Sequence, residues 1–243
     1  NGSITLYAIW KETTYSITYS LNGGTNHAKN PSSYTTTKSV TLLNPTRLGY
    51  TFKGWYSDAN FTQKITAIKS GSTGTVKVYA KWEVNKYTIQ FNANGGKGKM
   101  DKLAGCEYGK SYTLTKNAFT RDGYTFKGWN TNAKGTGTWY WNASSVKNLT
   151  DANNKIITLY AIWTENTYSI TYNLNGGTNN AKNPTTYATV RGTSLANPTK
   201  EGYTFKGWYT DWSCTQKITA IKRGTAGAVT VYAKWEANKY TIQ

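Results

Sequence analysis

Few residues of this chain could act as nucleophile, proton carrier or soft metal ligand. His27 is the one histidine, and Cys106 and Cys214 are the two cysteines; no two of the three lie close together in sequence. General acid–base work needs a partner within hydrogen-bond reach, and a zinc site needs three or four converging ligands. His27 has Asn180 at the equivalent place 153 residues on, so it reads as a solvated turn residue. Cys214 stands where Phe61 stands in the earlier copy, and reads as a small apolar side chain in a half-buried site. With so few cysteines no disulfide framework is expected, and the redox compartment stays open. Asp58 and Asp211 each follow Trp-Tyr-Ser/Thr, where a carboxylate accepts turn N–H groups. Glu12 with Glu165, and Glu83 with Glu236, also recur; these acids are too isolated for a carboxylate pair or a calcium cage, and their basic surroundings oppose a divalent cation. The N-G-G and GTGT stretches lack the Gly-Lys-Ser/Thr of a phosphate loop. The expectation is a chain that is not an enzyme and that carries no metal and no cofactor.

The basic residues are the stronger chemical lead. Lysine and arginine number 29 against 11 acids, for a net charge of +18. By segment the excess is +6 over residues 14–83, +6 over 84–165 and +5 over 166–236, so it is distributed rather than held in a tail. Lys53, Lys127 and Lys206 recur inside one repeated word, and Lys64 with Lys69 are matched by Lys217 with Lys222. One role for them is to keep strand edges from pairing and the protein soluble. The other is multivalent contact with anionic glycans or cell-wall polymers, such as teichoic acid or a glycosaminoglycan, in which linked weak sites gain through effective concentration. Nucleic acid would be attracted only non-specifically, since no RRM, KH or helix-turn-helix signature is present.

The word holding those lysines, GYTFKGW, occurs at 49–55, 123–129 and 202–208. A second, LYAIW or VYAKW, ends at Trp10, Trp82, Trp163 and Trp235, spaced by 72, 81 and 72 residues. Shifting the sequence by 153 residues superposes 1–90 on 154–243 with 63 of 90 positions identical. Such self-similarity marks a tandem array of packing units. Boundaries follow: 1–13, the last strand of a partial long (B-type) repeat; 14–83, a short (A-type) repeat; 84–165, a long repeat; 166–236, a short repeat; and 237–243, the first strand of a further partial long repeat.

Each repeat opens on strict alternation (YSITY, YTIQF, YSITY), turns at N-G-G, runs through the GYTFKGW strand and closes on a second alternating strand. In the short repeats Ile65 with Ile68, and Ile218 with Ile221, are three apart, which suggests one helical turn; the reading is therefore mostly β with an α+β element. Seven of the ten tryptophans sit at repeat positions and are assigned to cores. Outside that framework, Trp139 and Trp141 share one face of an extended stretch and are expected inside. Tyr140 on the opposite face and Trp212 are the candidate exposed aromatics. No run of eighteen apolar residues suggests a transmembrane segment, and NGSITLYAIW lacks the pattern of a signal peptide, so any addressing or anchoring segment is expected elsewhere.

In this order, ITYNLNGGT, ANPTKEGYTFKGWYTD and VYAKWE resemble the Listeria–Bacteroides repeat, the B repeat of internalin-type bacterial surface proteins, over essentially the whole chain. The resemblance implies tandem small β-grasp (ubiquitin/SUMO-like) units in an elongated array, a secreted or cell-surface location, and use as a spacer or modest interaction module. It supplies no catalytic residues. Linkers at 11–14, 83–86, 164–167 and 236–239 reach about 14 Å at most, which limits swivel between neighbours. The expected function is an extended structural spacer or stalk, with adhesion to anionic extracellular polymers as the alternative. End-to-end contacts with neighbouring repeats or chains, residues 240–243 against 4–10, are the remaining expected partnership.

Overall fold

The computed structural model describes residues 2–240. Every regular element among them is a strand, so the α+β expectation is corrected to all-β. The packing divides the chain into two compact units, and the middle repeat contributes to both. Unit one comprises Asn1–Gln90, Lys102–Leu114 and Ser145–Ile157; unit two comprises Phe91–Asp101, Thr115–Ser144 and Thr158–Gln243.

In unit one the first short repeat forms β1 (Thr14–Ser20), β2 (Ser33–Thr35), β3 (Val40–Thr41), β4 (Tyr50–Tyr56), β5 (Lys64–Ile65), β6 (Ala67–Ile68) and β7 (Val76–Val84). The main sheet runs β2-β1-β7-β4-β5, and β3 pairs with β6 in a second, two-stranded sheet. First and last strands lie parallel at the centre, from Ile17 opposite Val76 to Ser20 opposite Tyr79. The expected helical turn is a strand that changes sheets. Ile65 pairs opposite Trp55 in the main sheet, Ile68 opposite Val40 in the small one, and the Thr66 carbonyl between them accepts the Leu42 N–H at 2.9 Å. A bend there gives the three-residue apolar spacing without a helix. Ile17, Tyr34, Leu42, Trp55, Ile68, Val78 and Ala80 form the core.

The middle repeat adds to unit one most of β8 (Lys86–Asn92), paired with β9 (Leu103–Glu107), and β10 (Ser111–Thr113), paired with β13 (Ser145–Lys147). Its strands β11 (Tyr124–Asn130), β12 (Trp139–Tyr140) and most of β14 (Lys155–Glu165) belong to unit two, in the order β12-β11-β14. There the third repeat repeats the plan of the first: β15 (Thr167–Asn173), β16 (Thr186–Ala188), β17 (Thr193–Ser194), β18 (Tyr203–Tyr209), β19 (Lys217–Ile218), β20 (Ala220–Ile221) and β21 (Val229–Ala237). Its sheets are β16-β15-β21-β18-β19 and β17-β20, with β15 parallel to β21.

Trp55, Trp129 and Trp208, the last letters of GYTFKGW, are at most 2% exposed. Trp82, Trp163 and Trp235 lie instead against the N-G-G turns, each indole N–H donating to the carbonyl before the turn (Leu21, Ala93 and Leu174) at 2.8–2.9 Å. A Cβ on Gly24 would come within 2.5 Å of the Trp82 ring, so this turn needs its second glycine for space rather than for φ.

Among the described residues the expected terminal strands are not formed. Residues 4–10 form no strand, and Ile4, Leu6, Tyr7, Ile9 and Trp10 are exposed. Their counterpart β7 is held between β1 and β4, whereas 4–10 has no flanking strand among the described residues. Of the final stub 237–243, β21 takes Ala237, 238–240 form no strand, and 241–243 lie outside the described residues.

Candidate functional site: inter-repeat joints and the outer sheet face

The segments that follow β7, β14 and β21 are tied down by hydrogen bonds. Asn85, in the linker after β7, is buried at 8% exposure. Its N–H donates to the Gly49 carbonyl (2.9 Å) and its own carbonyl accepts the Tyr108 N–H (2.9 Å). Its Oδ1 accepts the Thr51 hydroxyl (2.5 Å) and its Nδ2 donates to the Asp151 carbonyl (2.6 Å). The next N–H, of Lys86, donates to Asn153 Oδ1 at 2.9 Å. A buried amide satisfied on every side holds its surroundings in one arrangement, since each broken bond leaves a desolvated group.

In unit two Asn166 repeats the pattern: its N–H donates to Gly123, its carbonyl accepts Thr189 N–H, and its Oδ1 accepts the Thr125 hydroxyl at 2.6 Å. Asn238 does the same toward Gly202 and Thr204. The glycine of each joint has positive φ (76°, 79° and 74° at Gly49, Gly123 and Gly202). A Cβ on Gly49 would fall 2.0 Å from the Tyr108 ring, and one on Gly123 would fall 2.6 Å from Val190; around Gly202 nothing lies within 4 Å. The first glycine of GYTFKGW is thus where the next repeat leans. These asparagines were missed in the sequence, although an Asn-x-Tyr word at 85–87, 166–168 and 238–240 signals them.

The recurring lysines lie on the outer face of each sheet. GYTFKGW carries a β-bulge at Lys53, Lys127 and Lys206 in its three copies. Lys53 Nζ is 2.8 Å from Glu83, and Lys206 is paired with Glu236. The hydrogen bond between Lys53 and Glu83 pushes the ammonium pKa up and the carboxyl pKa down. Lys64 and Lys217 lay their stems over Gly54 and Gly207 and, with Phe52 and Asn44 or Phe205 and Asn197, line cavities of ≈ 260 and ≈ 330 Å³. Lys69 and Lys222 are exposed just after β6 and β20. Lys127 has no carboxylate partner among the described residues and stands 5.4 Å from the centre of the Trp139 ring.

Other cations serve the fold, a use not anticipated from sequence. Arg47, Arg121 and Lys200 stack on Tyr50, Tyr124 and Tyr203 at 3.6, 4.0 and 4.2 Å. Each also donates to the asparagine carbonyl of its N-G-G turn.

Trp212 is 81% exposed. Tyr140, expected outside, is half-buried, while Trp139 and Trp141, expected inside, are 39% and 68% exposed. The register explains the reversal: Tyr140 lies opposite the buried Trp129, which sends Trp139 outward. His27 Nδ1 accepts the Lys29 N–H in a turn, as Asn180 Oδ1 accepts that of Lys182. Asp58 accepts the N–H groups of Asn60, Thr62 and Gln63, which, with Gln63 foremost, hold its carboxyl below the usual range. Asp211 is lowered further, first by the Ser213 hydroxyl and then by the Thr215 and Gln216 N–H groups. Cys106 is buried in β9, and burial pushes its thiol up. Phe61 and Cys214 share a positive φ of 57° and 54°, so the cysteine keeps the turn while giving up the ring that packs on Tyr56.

Residues 15–81, 87–162 and 168–234 each match the family profile described as the Listeria-Bacteroides repeat domain. Over 98% of its length the chain is 35% identical to part of an Evansella cellulosilytica protein whose name proposes a Gly-rich membrane protein, covering 26% of that relative. A second protein of that organism, also named as a proposed membrane protein, is 31% identical over 98% of the chain and 34% of its own length. Internalin H of Listeria monocytogenes is 38% identical over 120 residues, 49% of the chain and 20% of the relative. The chain therefore spans about a fifth to a third of these relatives. No helix among the described residues is long and apolar enough to cross a membrane.

Proposed function

The chain belongs to the Listeria-Bacteroides repeat family, and from that premise we propose that it is an extended structural spacer of a bacterial surface or secreted protein. The observation that carries this reading is the parallel pairing of first and last strands in the short repeats, β1 with β7 and β15 with β21. Tension entering one of these strands and leaving by the other loads the ladder hydrogen bonds together in shear rather than one at a time. The asparagine joints add to it, because force reaches a repeat through linkers already bonded on both sides. A strand order that brings first and last strands together at the sheet centre also supports a β-grasp-like arrangement, here without its helix. Extracellular location and a non-enzymatic role are part of the same proposal, which the family of the chain supports.

Single-molecule stretching tests the spacer. Several unfolding events of similar, high force are expected; one early, low-force extension would sink the proposal. A second reading, adhesion to anionic extracellular polymers, is favoured by the exposed lysines and by Lys127 in particular, whose charge no carboxylate of the described chain neutralises.

A further inference from the structure

The outer face of the GYTFKGW sheet is built differently in the middle repeat. In the short repeats it carries Lys53, Lys64, Lys81 and Glu83, or Lys206, Lys217, Lys234 and Glu236. There the first lysine pairs with the glutamate, the stem of the second packs on the bulge glycine, and the third stands over a tyrosine at 5.3 or 5.4 Å. In the middle repeat Lys127 is kept, but Trp139, Ile162 and Thr164 take the other three places. The Trp139 ring lies over Gly128 where Lys64 lies over Gly54, and Ile162 and Thr164 pair opposite Gly128 and Thr125 in β14. Two cations and one anion have been exchanged for an apolar platform, leaving a single cation beside it.

A groove of ≈ 500 Å³ runs from Lys127 and Thr164 along Phe126 to Asn166 and Tyr168. Glu165, which also borders it, is held by both terminal nitrogens of Arg191 at 3.0 and 2.6 Å. Trp141, two residues beyond Trp139, is 68% exposed.

We propose that this face of the middle repeat is a binding site for a sugar ring carrying a carboxylate or sulfate, within an anionic polysaccharide. The flat C–H face of a pyranose matches an exposed indole beside a half-buried isoleucine, whose burial against it releases water. The Lys127 ammonium, 5.4 Å from the centre of the ring and without a carboxylate partner among the described residues, supplies the counter-charge. The chain's charge of +18 favours such a polymer over neutral glycans from a distance. The inference rests on the adhesion reading and localises it: one site on the middle repeat instead of lysines spread along the chain.

Binding of the whole chain to heparin and hyaluronan oligosaccharides at about 150 mM salt, with polyglutamate as a ringless polyanion, tests it. Hyaluronan offers carboxylate alone and heparin both groups, so the pair identifies which is read. Trp139→Ala and Lys127→Glu should each weaken sugar binding about tenfold or more. Lys53→Glu, an equal charge change on the first repeat, should alter it less than twofold. Lys127→Gln, which removes the charge without reversing it, should weaken binding too and guards against misfolding of the other variants. Equal losses from Lys53→Glu and Lys127→Glu, or polyglutamate binding as tightly as the sugars, would overturn the site while leaving diffuse adhesion standing. No saturable binding to any of the three would end both.

Discussion

Trp55→Ala is expected to destabilise the first short repeat by about 3–5 kcal/mol, enough to unfold much of a domain of this size near room temperature. The ring is 2% exposed and lies edge-on to Tyr19 and Phe52 at 5.4 and 5.5 Å. Its indole N–H is spent on the Leu43 carbonyl at 3.0 Å. No disulfide or metal cluster shares the burden among the described residues, and a unit of about 70 residues has little stability to spare. Trp208→Ala should do the same to the third repeat, where the ring donates to Ala196 and meets Tyr172 and Phe205 in the same way. Thermal unfolding of the whole chain followed in the near ultraviolet measures both. A loss below about 1 kcal/mol, the range of surface substitutions, would mean that the aromatic cluster is not what holds the repeat.

The second large effect belongs to the joint. Gly49 and Gly202 occupy one place in the repeat with nearly the same φ, 76° and 74°. Alanine at either meets the backbone strain of the left-handed region, about 1–2 kcal/mol. Only at Gly49 does the new methyl group also meet a neighbour, the Tyr108 ring at 2.0 Å. Relieving that clash means moving the ring or the backbone of the next repeat, at a further cost of about 1–3 kcal/mol. Gly49→Ala should therefore lower the unfolding midpoint well beyond Gly202→Ala. Equal effects would show that Tyr108 does not rest on Gly49 in solution.

Much of this was legible in the sequence because it depends on local chemistry repeated several times. The N-G-G turns, with Asn22 at φ 48° and Gly23 at 85°, are the left-handed pair such a word encodes. The Asp58 and Asp211 turns, and the burial of Trp55, Trp129 and Trp208, were readable in the same way. What failed did so for lack of long-range information. Alternation separated Trp139 from Tyr140 but could not say which faced inward; that is decided by pairing with Trp129. Ile65 and Ile68 suggested a helix because a strand crossing between two sheets gives the same spacing.

Lys53 was a candidate polyanion contact, and its pairing with Glu83, thirty residues away across the sheet, could not be read from its own stretch of sequence. Asn85 was passed over as a polar linker residue, since nothing in the linker's own sequence reports that the neighbouring repeat buries it.

Backbone nitrogen-15 relaxation at Asn85 and Asn166 tests most directly whether the linkers are structured joints. Order parameters of about 0.85, level with the flanking strands, are expected for amides bonded to Gly49 and Gly123. Values below about 0.6 would mean that the repeats are beads on a flexible string, and would contradict a spacer built on fixed joints.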